Sequence, residues 1–148
     1  MSTDQKVTKD LMETLEDGKN GFAKAADKLA GSDRPDLAEK FRFYSQQRER
    51  FCAELDTMAA AYGDDIDESG TISGAVHRGW LSVKDALSGS NPEGVLDAAE
   101  QGEDHAVSVY ASALEEDISS DLRDVVQRQF VDVKAAHDEV RALRDALS

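Results

Sequence analysis

The chain has one cysteine, Cys52, so it cannot close an internal disulfide, and a reducing compartment is the simpler reading. Basic residues are scarce. The 17 Lys and Arg stand against 31 Asp and Glu, for a formal charge of −14, and they form no run anywhere. That deficit argues against nucleic-acid binding through phosphates and against docking on an anionic membrane. No apolar run is long enough to span a bilayer, and the opening MSTDQKVTKDLMETLEDGKNG has no signal-peptide core. A cytoplasmic protein is expected. Strand alternation, low-complexity tracts, internal repeats, a phosphate loop, a dinucleotide fingerprint and a nucleophile–histidine–acid set are all missing as well. DDIDESG is acidic but lacks the alternating ligands and terminal Glu of a calcium loop.

What is present is helical periodicity. At 148 residues, with 40% hydrophobic and 32% charged content and only two prolines, the chain suits one helical domain over 1–148. Steps of three and four join Val7, Leu11, Leu15, Gly18, Phe22, Ala25 and Leu29, capped by Ser2 or Thr8, which predicts a helix over 6–30. Leu37, Phe41, Tyr44, Arg48, Phe51, Leu55, Met58 and Tyr62 predict a second over 34–62, with Pro35 in its first turn. A third is expected over 91–116 with Val95, Ala99, Gly102, Ala106, Val109 and Ala113 inward, and a fourth over 120–146 from Leu122, Val126, Gln129, Val133, Ala136, Val140 and Leu143. A shorter helix over 72–88 lies in the connection between the second and third. The fold class is therefore all-α: a ferritin-like four-helix bundle with a short extra helix in that crossover, an up-down-up-down bundle being the other arrangement.

Polar residues inside the apolar stripes are the candidates for function. At about 100° per residue, Arg48 falls on the centre line of the second helix and Gln129 on that of the fourth. Glu103 lies roughly 50° from the centre of the third stripe, and Gln47 and His137 sit on shoulders roughly 70° off. Glu100, Asp104 and His105, next to Glu103 in AAEQGEDHAVSVY, fall on flanks that read as solvated. A buried charge needs an opposite partner. Arg48 and Glu103 are therefore expected to pair, with Gln47, Gln129 and His137 completing a polar layer. Cys52 reads as packing, and His77 as a surface or helix-contact residue. Phe43, Trp80 and Phe130 lie at or beyond stripe edges, where they form a contact patch or cover the bundle's ends.

The competing reading of the layer is a metal site for Fe or Zn with a reduced ligand set, Glu103 and His137. A di-iron carboxylate bundle draws one Glu from each of two helices and a Glu-x-x-His from each of the others. Lys134 stands where the fourth helix would need its acid, and the second helix has no histidine.

The segments LMETLEDGKNGFAKAADKL, QQRERFCAEL, SGAVHRGWLSVKDAL, GEDHAVSVY and VKAAHDEVRALRD span nearly the whole chain in order. With them, the chain resembles a bacterial family of small ferritin-like four-helix-bundle proteins catalogued as a domain of unknown function. The resemblance implies a ferritin-like bundle in a bacterial cytosolic protein and carries no characterised activity; the wider superfamily implies iron binding or oxidation. The first expectation is a non-enzymatic, structural or stress-related protein without a cofactor, acting through self-association or a protein partner. The alternative is a metal-binding protein, an oxidase included, centred on Glu103 and His137.

Overall fold

The computed structural model describes residues 2–61 and 91–147. Among the described residues there are four α-helices and no strand: α1 (Thr3–Ala30), α2 (Pro35–Ala61), α3 (Pro92–Glu115) and α4 (Ser120–Leu147). The helix expected over 72–88, with His77 and Trp80, falls outside the described residues, as does Tyr62. No described helix is long and apolar enough to cross a membrane.

The ends of the helices follow from local chemistry. The first begins before its first apolar residue because Ser2 builds a capping box: Ser2 Oγ accepts from the Gln5 N–H at 3.2 Å, and the Ser2 N–H donates to Gln5 Oε1 at 2.6 Å. After Ala30, the Ser32 hydroxyl donates to the Leu29 carbonyl at 2.7 Å and accepts from the Arg34 N–H at 3.0 Å, and Pro35 opens α2. Asn91 caps α3 through the Glu93 N–H at 2.9 Å, with Pro92 in the first turn, where its missing donor costs nothing. At the far end of α3, Arg123 donates to the Leu114 and Glu116 carbonyls at 2.8 Å each, satisfying acceptors that the helix leaves open. The Ser119 N–H donates to Asp4 Oδ1 at 2.9 Å and ties this turn to the first turn of α1.

The core divides into two apolar clusters. One gathers Phe22 to Leu29 of α1, Leu37 to Tyr44 of α2, Val95 to Ala99 of α3, and Ala136 and Val140 of α4. The other gathers Val7 to Leu15, Phe51 to Leu55, Ala106 to Ala113, and Leu122 to Val133. The order in which each helix passes through them sets its direction. The first and last helices run one way, and α2 and α3 run the other. Residues 61 and 91 therefore lie at opposite ends of the bundle. The first helix packs closely on α2 and on α3, and α3 on α4, whereas α2 and α4 touch little. Arg48 and Glu103 thus face each other across a diagonal, at the level between the two clusters.

Candidate functional site

Arg48 projects from the apolar face of α2, one turn after Tyr44 and one before Phe51, and is 1% exposed. Its guanidinium grips Glu103 of α3, which is 0% exposed, through two parallel bonds: Nη1 to Oε1 at 2.8 Å and Nη2 to Oε2 at 2.7 Å. This fork-to-fork geometry is the strongest form of such a pair. The remaining Nε–H donates to Gln47 Oε1 at 3.3 Å. The Phe22 ring lies 5.2 Å from the guanidinium carbon, within cation–π range. On α1 the stem of Arg48 passes Gly18, where an added Cβ would stand 3.6 Å from both Cγ and Nη1. That is an ordinary van der Waals spacing, so an alanine would also fit beside Arg48. Burial works against the Arg48 charge, but the Glu103 carboxylate outweighs it and holds the guanidinium above its ordinary pKa.

Gln129 and His137, expected to complete this pair, are drawn elsewhere. Gln129 Oε1 accepts from the Tyr110 hydroxyl at 2.7 Å, while its Nε2 donates to Glu54 Oε1 at 2.8 Å and to the Phe51 carbonyl at 3.3 Å. Arg128 closes that chain on Glu54 Oε2 at 2.5 Å. Burial pushes the Glu54 carboxyl up, but the bonds from Arg128 and Gln129 prevail and hold it below its usual range. The buried Tyr110 hydroxyl is pushed well above its ordinary pKa by burial and stays protonated as a donor. A second polar chain, Tyr110–Gln129–Glu54–Arg128, thus bridges α3, α4 and α2. Tyr110 and Glu54 carry no signal on a single helix that separates them from a core aromatic and a surface acid.

His137 does not meet Glu103. Its Nε2 lies 2.5 Å from Asp104 Oδ1 and its Nδ1 3.0 Å from Asp138 Oδ1. Both oxygens of Glu103 are engaged by Arg48, so the pairing of Glu103 with His137 as ligands is replaced by a different neighbourhood on the α3–α4 seam. Glu100, expected on a solvated flank, is 5% exposed there. The helix α3 is packed against both α1 and α4, so the face it buries is wider than its apolar stripe, and two α4 arginines roof it. Arg141 Nε donates to Glu100 Oε1 at 3.0 Å, and Arg144 Nη1 lies against Oε2. Asp104 is exposed, as expected, and His105 is half-buried. For His137, burial acts to lower the pKa, but hydrogen bonds to Asp138 and Asp104 overcome it and raise the value above 6.5.

Other candidates settle simply. Cys52 is buried, with Sγ 3.8 Å from the Met12 carbonyl oxygen. Phe43 is 53% exposed beside Tyr44, and Phe130 is half-buried, stacked on Tyr110 at 6.2 Å. Glu13 and Asp17 of α1 are buried as well. The first helix, like α3, packs against two neighbours.

The description "Domain of unknown function (DUF2383)" belongs to the family that matches residues 5–116, from the first turns of α1 to the end of α3. No curated protein matches the chain.

Proposed function

The chain belongs to the family described as a domain of unknown function (DUF2383), and on that footing we propose a ferritin-like helical-bundle protein with a non-enzymatic, structural or stress-related role in the bacterial cytoplasm. The helix directions support the fold: α2 and α3 run parallel, and the ends joined by residues 62–90 lie at opposite ends of the bundle, as a crossover bundle requires. The observation that carries the functional reading is the closed Arg48–Glu103 pair. It occupies the bundle centre, where a ferritin-like oxidase would hold its metals. Between the two clusters Gly18 of α1 lies against Arg48 of α2, and the Glu103 carboxylate of α3 has both oxygens on that cation. These residues do not fit a dinuclear metal centre. The pair instead fixes the register of α2 against α3, because any slip leaves two charges buried and unpaired.

The role is then carried by the outside of the bundle, an acidic surface with Phe43 and Val131 exposed on it. Association with a protein partner, a basic one above all, is the activity assigned to this surface; contact with a second copy would have to overcome its charge and use Phe43 and Val131. Aerobic Fe²⁺ oxidation tests the interior directly. The purified chain is expected to oxidise Fe²⁺ no faster than buffer. Saturable oxidation that depends on the protein and is lost in Glu103→Gln would overturn the reading.

A further inference from the structure

On the α3–α4 seam, Glu100 and Asp104 stand one turn apart on α3, and His137 faces them from α4. Their ligand atoms lie within 4.8 Å of one another. Bonds to Zn²⁺ of about 2 Å set ligand atoms roughly 3.4 Å apart in a tetrahedron, so side-chain adjustment alone closes the distance. We propose that Glu100, Asp104 and His137 form a site for one divalent first-row transition metal of the Zn²⁺ class, independent of the interior ion pair.

Three features support this over an ion-pair network alone. The first is the orientation of the imidazole. Asp138 Oδ1 lies 3.0 Å from Nδ1 and orients the ring, so that Nε2, 2.5 Å from Asp104 Oδ1, presents its lone pair to a metal once the proton between those two atoms is released. A carboxylate behind the ring is the usual support of a metal-bound histidine. The second is Glu100, 5% exposed: its Oε2 is ion-paired to Arg144 Nη1, while its Oε1 accepts from the half-exposed Arg141, which can leave it. Oε1 then has an acceptor position to give. The third is access. Asp104 is 54% exposed at its side chain, which leaves the remaining coordination position open to water. Imidazole beside two carboxylates favours Zn²⁺ or Fe²⁺ over Mg²⁺ and Ca²⁺, which take oxygen ligands.

Arg141 and Arg144 compete with the metal for Glu100. Arg141 is 53% exposed, with Nη2 3.9 Å from Asp104, and can swing into solvent. Binding transfers to solvent the proton shared between Nε2 and Asp104, and the metal takes both atoms.

Zn²⁺ titration of the full, metal-stripped chain by calorimetry tests the site, with helicity checked by circular dichroism. One Zn²⁺ per chain is expected, accompanied by a rise in melting temperature. His137→Gln and Asp104→Asn should abolish both signals. Asp138→Asn, which only orients the ring, should weaken binding about tenfold. Arg141→Ala should tighten it, an effect that an ion-pair network without a metal would not give. Absence of Zn²⁺ binding by the native chain, or binding that survives both His137→Gln and the exposed, fold-neutral Asp104→Asn, overturns the proposal. Neither result bears on Fe²⁺ oxidation in the interior.

Discussion

Glu103 and Glu100 lie three residues apart on α3, both are buried, and both pair with arginine, yet their surroundings differ. In the middle of the bundle one guanidinium meets one carboxylate, both are cut off from water, and neither has a substitute. On the α3–α4 seam Glu100 shares two arginines whose outer surfaces reach solvent, and Asp97, Asp104 and Asp145 share those same cations. The first region is a single closed contact; the second is redundant and open. Redundancy and solvent make a seam tolerant of substitution and available to ligands, whereas a closed contact makes the centre intolerant and inert.

That contrast orders the expected effects. Glu103→Ala strands Arg48 in the core and should cost about 3–5 kcal/mol in a denaturant melt; a loss within about 0.5 kcal/mol, the size of an exposed substitution, would erase the difference between the regions. Tyr110→Phe comes next. It removes the donor to Gln129 Oε1 and leaves a buried acceptor unsatisfied, at about 1–3 kcal/mol. Arg141→Ala, on the seam, should cost no more than about 1 kcal/mol, since Arg144 remains on Glu100 and exposed pairs contribute little.

The smallest effect is a pH dependence. Folding raises the pKa of His137 above 6.5, so the folded state favours the protonated ring. Its contribution is fully present below that unfolded value and is lost as pH rises through the higher folded one. Stability should therefore decline slightly from about pH 6 upwards through that window, and His137→Gln should flatten this part of the profile. An unchanged profile in the variant would assign the slope to other groups.

Periodicity placed Arg48 and Glu103 together because each interrupts an otherwise apolar stripe, and desolvation leaves opposite charges no other way to be buried. The four helices were readable for the same reason, assisted by Ser2, Pro35 and Pro92. Partner choice was less accessible. Gln129 lies on its stripe as expected, but whether it reaches Arg48 or Tyr110 depends on the axial register between α4 and its neighbours, which no single helix encodes. His137 met Asp104 for the same reason. Glu100 was misplaced because a stripe marks only the apolar part of a buried face. Where α3 packs on two helices, aliphatic stems and guanidinium groups from α4 bury an acid that periodicity assigns to solvent.

The most direct test of a closed centre is a double-mutant cycle on Arg48→Met and Glu103→Leu, read by denaturant unfolding. Each single variant leaves an unpaired buried charge, whereas the double variant leaves none. The predicted result is two large single losses and a double variant far more stable than their sum, with a coupling of at least about 2 kcal/mol. Single losses that add to within about 0.5 kcal/mol would contradict a pair that closes the interior.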